Sequence, residues 1–277
     1  MRSVAETTAL VTGATDGLGR MVAGELAARG ATVHIHGRDR ARGERVLAEI
    51  GEQTGNDRLH LHLADLASLA EVAALADELD AELDQLHLLV NNAGIGSGLP
   101  ESRERQESAD GVELRFAVNY LAGYALTERL LELLRRSAPA RIVFVASLGQ
   151  APIDFGDPML TGIYSGGRAY SQSKLAQITY ANDLARRLEG TGVTANSLHP
   201  ATYMPTKMVL EEVGESVDTL ELGTEATLRL AIGDELDGVS GRFYDRLQEA
   251  GAQPQASDPE AQARLRELSE QLVARAR

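Results

Sequence analysis

The chain alternates short apolar runs with longer amphipathic segments. Six runs of four to six residues are apolar almost throughout, which is typical of strands buried on both faces of a parallel sheet. They span residues 8–11, 32–35, 59–63, 87–90, 142–145 and 193–198. In the third run His60 and His62 alternate with leucine, so we expect one face of that strand to reach solvent or an edge loop. Both histidines are interpreted as structural, and no metal site is predicted.

The segments between these runs have the apolar spacing of helices with one charged face. They span residues 17–29, 40–50, 69–83, 111–136 and 170–188. The alternation predicts an α/β fold with a three-layer, doubly wound parallel sheet. Later in the chain we expect a helix near 224–232, a short strand around 242–244 and a helix from Asp258. Segments 148–169 and 201–223 lack a regular period and are expected to wall a substrate pocket.

Composition narrows the class of protein. The 277 residues contain no linker rich in Pro, Gly or Ser, so one domain over residues 1–277 is expected. The absence of Cys excludes disulfides and a thiolate nucleophile. A net charge of -14 opposes nucleic-acid binding. With no signal-like start and no apolar stretch near the ~20 residues of a membrane helix, a soluble cytoplasmic protein with no membrane partner is expected.

The first strand leads into a glycine-rich turn that opens the first helix. Gly13, Gly17 and Gly19 have the spacing G-x-x-x-G-x-G. Such a turn lets the backbone approach a pyrophosphate, and the helix N-terminus offers free N–H groups to it. The strand–turn–helix context favours this interpretation over a purely structural turn. The cofactor contacts expected here are Gly13, Thr15, Asp16, Gly17, Leu18 and Gly19.

The end of the second strand carries the expected selector between the two nicotinamide cofactors. Gly37 stands where an acidic side chain would reject a 2′-phosphate, and Arg38 could pair with that phosphate. NADP(H) is therefore favoured over NAD(H). Asp39 and Asp16 oppose this choice, because both place negative charge near the same site. The alternative for Arg38 is a solvated surface arginine.

Polar and small residues follow the later strands at the edge where a doubly wound sheet binds ligands. Asp65 and Leu66 end the third strand. The turn after the fourth strand contains Asn92, Ala93 and Gly94. These residues could let the backbone lie against a nucleotide, or they could form a turn that only connects two elements.

The most informative pair is Tyr170 and Lys174, which lie four residues apart on one helical face. A neighbouring ammonium favours the phenolate, so we expect it to lower the pKa of Tyr170 towards the range useful for proton transfer. Ser147 follows the fifth strand at the same edge and could hydrogen-bond a carbonyl oxygen. Asn119 lies among apolar residues, and the sequence leaves open whether it is buried and hydrogen-bonded or exposed.

These features, in this order, resemble the short-chain dehydrogenase/reductase superfamily over residues 8–244. The resemblance implies a Rossmann-type sheet of about seven strands and a catalytic tetrad of Asn119, Ser147, Tyr170 and Lys174. It also implies that Lys174 and Tyr170 contact the cofactor, with Asp65 and Leu66 at the adenine. The same resemblance assigns Asn92, Ala93 and Gly94 to the adenosine-side ribose and neighbouring groups.

The 23-residue spacing from Ser147 to Tyr170 is longer than in most family members and resembles that of the branch that contains retinol dehydrogenase and protochlorophyllide reductase. That branch commonly uses NADP(H) and often takes bulky apolar substrates. Pro200 and Thr206 match positions of the family near the nicotinamide. Ala201 departs from the usual glycine, which could shift the start of the substrate loop.

The resemblance implies an oxidoreductase that transfers a hydride between nicotinamide and a small-molecule ketone, aldehyde or secondary alcohol. Family members are often homodimers or homotetramers. The alternative is a catalytically idle NADP-binding regulator or scaffold, which has no chemical need for both Tyr170 and Lys174. A sugar-nucleotide epimerase or dehydratase is disfavoured because the chain after Pro200 is short for a substrate domain.

Overall fold

The computed structural model describes residues 3–98 and 104–276 as an α/β fold around one sheet. Its strands are Thr8–Val11 (β1), Thr32–Gly37 (β2), Leu59–Leu63 (β3), Leu88–Asn91 (β4), Ala140–Val145 (β5), Val193–His199 (β6), Phe243–Asp245 (β7) and Gln248–Ala250 (β8). Their order is β3-β2-β1-β4-β5-β6-β7-β8. Neighbouring strands are parallel except β7 and β8. The predicted parallel sheet is confirmed, and the short antiparallel β8 adds an edge that no sequence pattern indicated.

Helices cover both faces of the sheet. They are Gly17–Ala28 (α1), Arg40–Thr54 (α2), Leu69–Glu82 (α3), Ala122–Arg136 (α4), Gly166–Arg187 (α5), Lys207–Glu212 (α6), Leu220–Ile232 (α7) and Pro259–Arg275 (α8). Three predictions were wrong in part, and one of them is the start of α5, which begins at Gly166 and not at residue 170. The segment predicted as one helix over 111–136 contains a π-helical stretch, Phe116–Leu121, before α4, and the segment 201–223 contains α6 and the start of α7.

The sheet is buried on both faces, as its apolar strands predict. In β1, Ala9 and Val11 join the apolar cluster under α1, α2 and α7, whereas Leu10 joins the cluster under α3, α4 and α5. Successive side chains of a strand point to opposite faces, so a strand between two helical layers must be apolar at every position. Within the described ranges, no helix combines the length and apolar character needed to cross a membrane.

A group of four histidines lies on one face of β2 and β3, beneath the α3 layer. His34 and His60 are register partners in the sheet, as are His36 and His62. His62 is buried and His60 is exposed, so the expectation that this face opens to solvent holds for one histidine only. Helix α3 covers the inner part of the strand, and Glu78 of that helix contacts His62.

His36 connects the histidine group to the glycine-rich turn. Its Nδ1 accepts a hydrogen bond from the backbone N–H of Gly13 at 3.2 Å, and its Nε2 lies 3.1 Å from the carbonyl oxygen of Ala64. Burial lowers the pKa of His36 from 6.5 to about 4. The imidazole therefore stays neutral near pH 7, with a proton on Nε2 for Ala64 and a lone pair on Nδ1 for Gly13.

This arrangement predicts a loss of stability in mild acid. His36 takes up a proton near pH 6.5 in the unfolded chain but only near pH 4 in the folded protein. The contribution of the neutral imidazole to the free energy of unfolding is therefore fully present above pH 6.5 and falls as the pH falls towards 4. From about pH 7.5 to 5, the wild type should lose about 2 kcal/mol more than His36→Asn, measured by urea unfolding. His60→Asn, an exposed control, should keep the wild-type dependence. Equal slopes for the wild type and His36→Asn would contradict the prediction.

Candidate active site

The glycine-rich turn after β1 packs directly against the turn after β4. A Cβ atom at Gly13 would lie 2.8 Å from Cα of Ala93, and one at Gly19 would lie 2.4 Å from Nδ2 of Asn92. Gly13 and Gly17 also have positive φ angles, 64° and 48°. A side chain at Gly13 or Gly19 would force the backbone to move, and the positive φ angles of Gly13 and Gly17 favour glycine as well. The turn is therefore closed to side chains, and its backbone forms the floor on which a dinucleotide would rest.

Thr12 joins the two turns through its side chain, a contact that sequence reasoning missed. Its Oγ1 accepts hydrogen bonds from the backbone N–H of Asn92 at 3.0 Å and of Ala93 at 3.1 Å. Nδ2 of Asn92 donates to the carbonyl oxygen of Thr12 at 2.8 Å. Asn92 and Ala93, both predicted cofactor contacts, are thereby held beside the glycine-rich turn.

The two aspartates that opposed an NADP preference both serve as helix caps. Oδ1 of Asp16 accepts from the N–H of Gly17 at 2.7 Å at the start of α1. Oδ1 of Asp39 accepts from the N–H of Arg42 at 2.8 Å at the start of α2. Capping oxygens satisfy helix N–H groups that would otherwise lack partners. These local roles account for both residues without a contact to a ribose.

The end of β2 has a free cation and a tightly packed glycine. A Cβ atom at Gly37 would lie 2.4 Å from Cγ2 of Thr15, so a larger residue at this position would require the Thr15 side chain to move. Arg38 is exposed. It forms no hydrogen bond or ion pair with any residue of the described ranges. Its guanidinium is free to receive an anion.

The remaining predicted cofactor residues also lie along this edge. Asp65 Oδ1 accepts from the N–H of Ala67 at 2.9 Å, which fixes the turn after β3, and Leu66 is buried beside it. Pro200 follows β6 and is buried. Thr206 caps α6 and touches the glycine-rich turn, since a Cβ atom at Gly17 would lie 3.0 Å from its Cγ2.

Ser147 and Tyr170 form the centre of the site. Ser147 lies two residues beyond β5, and Tyr170 lies in the second turn of α5 with its hydroxyl near that of Ser147. Burial raises the pKa of Tyr170 above its usual value of 10.0, while the neighbouring hydroxyl of Ser147 offsets part of this rise and the charge of Glu212 adds to it. The expected lowering of this pKa is thus not found in the structure.

Lys174 lies over the face of the Tyr170 ring, and the hydrogen bonds of its Nζ go to groups other than the phenol. Nζ donates to the carbonyl oxygen of Val145 at 2.9 Å and to Oε1 of Gln177 at 3.0 Å. It lies 5.7 Å from the centre of the Tyr170 ring. Burial lowers the pKa of Lys174 from 10.5 to about 7, so this amine gains and loses its proton close to neutral pH.

Asn119 is buried and hydrogen-bonded, which resolves the alternative that the sequence left open. Its Oδ1 accepts from the N–H of Ile95 at 2.7 Å, and its Nδ2 donates to the carbonyl oxygen of Ile95 at 3.1 Å and to Oγ of Ser173 at 3.0 Å. It lies in the π-helical stretch before α4. Such stretches widen a helix locally and often occur at functional sites.

Gly94 lies where the side chains of the site converge. A Cβ atom there would lie 3.2 Å from Oδ1 of Asn119 and 3.5 Å from Nζ of Lys174. A cavity of about 10 Å³ adjoins Asn119 and Gln177, room for about one water molecule. The buried Oδ1 of Asn91 lines this cavity and has no partner among the described residues.

Two further contacts hold the loops around the site, and neither follows from the sequence pattern. The hydroxyl of Tyr164 donates to Oε1 of the buried Glu113 at 3.0 Å and accepts from Arg115 at 2.7 Å. Glu212 of α6 accepts from Oγ of Ser97 at 3.1 Å and from the N–H of Gly98 at 3.0 Å. Because the partners lie far apart in the sequence, no local motif indicates them.

The fold and this edge define a dinucleotide-binding oxidoreductase scaffold, and comparison with known proteins gives the family. A family model described as short chain dehydrogenase matches residues 7–215. Human retinol dehydrogenase 12 is 35% identical over 95% of this chain and 85% of its own length. Human retinol dehydrogenase 14 is 37% identical over 96% of this chain and 86% of its own. The chain belongs to the short-chain dehydrogenase/reductase family and is an oxidoreductase acting on CH–OH groups.

Solved structures agree with this assignment. A protein from Mycobacterium paratuberculosis has a TM-score of 0.79 at 31% identity and covers 99% of this chain and 96% of its own. The RhlG/NADP complex of Pseudomonas aeruginosa has a TM-score of 0.71 at 26% identity, over 88% and 97% of the two chains. The 3-ketoacyl-(acyl-carrier-protein) reductase of Brucella melitensis, complexed with NADH, has a TM-score of 0.68 at 25% identity, over 88% and 97%. Members with either cofactor are therefore among the neighbours.

The closed glycine-rich turn is tested by a matched pair of substitutions in α1. Gly19→Ala places a methyl group 2.4 Å from Asn92 Nδ2 and from the carbonyl oxygen of Gly13, so we expect at least about tenfold weaker dinucleotide binding and lower stability. Gly24→Ala meets no atom within 4 Å and should stabilise the helix by about 0.5–1 kcal/mol. Fluorescence titration and thermal unfolding measure both. Equal binding by the two variants would show that the turn tolerates side chains.

Proposed function

We propose that the protein is an NADP(H)-dependent oxidoreductase that interconverts a carbonyl compound and a secondary or primary alcohol. The observation that carries this proposal is the grouping of Ser147, Tyr170, Lys174 and Asn119 beside the closed glycine-rich turn. All four residues lie close to the turns that follow the carboxyl ends of the parallel strands, the edge at which such a sheet binds ligands. The family assignment supports the reaction class, and the four roles below are our assignment.

In this reaction the hydroxyl groups of Ser147 and Tyr170 hold the oxygen of the substrate by hydrogen bonds. Tyr170 gives its proton to that oxygen during reduction and takes one from it during oxidation. NADP(H), when bound along the glycine-rich turn, supplies or accepts the hydride. Ser147 also limits the rise in the pKa of Tyr170 that burial causes, which keeps the phenol closer to the useful range.

Lys174 and Asn119 help to supply protons to Tyr170 and do not bind the substrate oxygen themselves. An amine with a pKa of about 7 can exchange protons at neutral pH, and the 10 Å³ cavity beside Asn119 and Gln177 offers a place for a bridging water. We assign Lys174 to the nicotinamide ribose as well as to this proton path. The two hydrogen bonds between Asn119 and Ile95 hold this proton path at a fixed position beside the turn after β4.

The preference for NADP(H) over NAD(H) rests on Arg38. Its free guanidinium at the end of β2 suits a 2′-phosphate, and Gly37 supplies no carboxylate that would bind an unmodified ribose. Asp16 and Asp39 each use Oδ1 as a helix cap, and the positive charge of Arg38 has to outweigh their negative charge at this edge. In a chain with a net charge of -14, a free cation at this edge attracts an anionic cofactor.

The proposed substrate is bulky and apolar. The large exposed apolar side chains of the described residues all belong to the two segments expected to wall the pocket, and they are Leu148, Ile163, Tyr203, Leu210, Val213 and Val217. Exposed apolar groups concentrated around a cleft are typical of ligand-binding surfaces. Ile153 and Leu160 of the first segment are instead buried. A cytoplasmic location and a homodimer or homotetramer stay predictions.

Replacement of the proton donor tests the reaction. Tyr170→Phe should lower kcat by about 10²–10⁴-fold while NADPH affinity stays within about threefold of wild type, because only the phenolic proton is lost. Activity is followed through NADPH absorbance with a panel of apolar ketones and aldehydes. Tyr244→Phe removes a phenol from β7 and is the control. Wild-type turnover by Tyr170→Phe would refute the mechanism.

Replacement of Arg38 tests the choice of cofactor. Arg38→Ala should weaken NADPH binding by about 10- to 100-fold through loss of a charged hydrogen bond, and should leave NADH binding nearly unchanged. Arg40→Ala, which removes an exposed arginine paired with Glu44 at 3.6 Å, should leave the ratio of the two affinities as in wild type. Equal weakening of both cofactors by Arg38→Ala would remove it as the phosphate ligand.

A further inference from the structure

Three side chains with metal-binding atoms meet between the edge strand β3 and helix α3. His62 contributes an imidazole nitrogen, and Glu78 and Glu82 each contribute a carboxylate oxygen; these atoms lie within 4.8 Å of one another. The two glutamates lie four residues apart and therefore on the same face of α3. Nδ1 of His62 lies 2.6 Å from Oε1 of Glu78.

The imidazole is already held in one orientation. His62 is only 3% exposed, and its Nε2 lies 2.8 Å from Nδ1 of the buried His34. Metal-binding histidines characteristically have such a partner on the nitrogen that faces away from the ion, because the partner fixes the ring and its tautomer. Glu78 and Glu82 are exposed at the surface of α3, so an ion can reach the group from solvent.

A simple ion pair accounts for only part of this arrangement. Glu78 has His62 as its partner, but Glu82 has no hydrogen bond or ion pair with any residue in the described part of the chain. Two carboxylates one helical turn apart repel each other. A cation between them would relieve that repulsion, and the net charge of -14 favours its approach.

We propose that His62, Glu78 and Glu82 form a binding site for a divalent transition-metal ion of the Zn²⁺ type, which joins β3 to α3. One nitrogen and two oxygen donors suit Zn²⁺, Co²⁺ or Ni²⁺, whereas Mg²⁺ and Ca²⁺ prefer oxygen alone. On binding the ion, Nδ1 of His62 releases to solvent the hydrogen that it donates to Glu78 and supplies its lone pair to the ion, while the ring proton lies on Nε2, which faces His34. This replaces the purely structural interpretation of His62.

The site is separate from the proposed oxidoreductase reaction, since none of its residues contacts Ser147, Tyr170 or Lys174 within the hydrogen bonds and ion pairs of the described residues. Its effect is on the edge of the sheet. An ion that binds only the folded chain raises stability by mass action, and here it would clamp an outer strand to the helix that covers it.

Zn²⁺ titration of the full-length, tag-free and chelator-treated protein tests the proposal. Calorimetry should show one Zn²⁺ bound per chain, and Zn²⁺ should raise the Tm, whereas Ca²⁺ at the same concentrations should not. Glu82→Gln should weaken Zn²⁺ binding by about tenfold or more. Asp84→Asn, which removes one exposed charge two residues further along, is the matched control and should stay within about twofold of wild type.

His62→Gln should abolish saturable Zn²⁺ binding. This residue is buried, and the variant could fail to fold. Two other comparisons therefore test the site without it: Glu82→Gln against Asp84→Asn, and Zn²⁺ against Ca²⁺. The proposal is overturned if the wild type shows no saturable Zn²⁺ binding. It is equally overturned if Ca²⁺ raises the Tm as much as Zn²⁺, or if Glu82→Gln and Asp84→Asn weaken binding alike, because either result means that only general negative charge attracts the ion.

Discussion

The close approach of two backbone turns determines how the rest of this protein is arranged. The glycine-rich turn after β1 and the turn after β4 touch with no space for a Cβ atom at Gly13 or Gly19, and the hydroxyl of Thr12 holds them together. His36 supports the same turn from β2. Because three strands fix this surface, the helices and loops that carry side-chain chemistry are built around a rigid backbone platform.

Electrostatics in the site follow from burial more than from pairs of charges. The ammonium of Lys174 is satisfied by a carbonyl oxygen and by Gln177, and the low polarity around it lowers its pKa to about 7. The same burial raises the pKa of Tyr170. Burial thus disfavours the charged form of both groups. The phenol of Tyr170 keeps its proton to a higher pH than usual, and the amine of Lys174 loses its proton at a lower pH than usual.

The sequence predicts the layers of this fold well because its strands and helices have strong, local patterns. The parallel sheet and the family were confirmed, and Tyr170 and Ser147 do lie together. Patterns could not show that Asn119 sits in a π-helical stretch, since its apolar neighbours fit an ordinary helix equally well. They also could not show the contact of Tyr164 with Glu113 or the opposing pKa shift of Tyr170, because both depend on groups brought together only by the folded chain.

The π-helical stretch Phe116–Leu121 also makes this part of the chain sensitive to its length. Each residue of a helix turns it by about 100°, and the stretch contains a wider turn than an α-helix. Glu113 fixes its start by accepting from the N–H of Phe116 at 2.7 Å, and Thr127 fixes the helix beyond it by accepting from Asn91 at 3.1 Å. Substitutions between these anchors change one side chain, whereas loss or gain of a single residue would rotate Asn119 away from Ile95, so this segment depends on its number of residues more than on any one side chain in it.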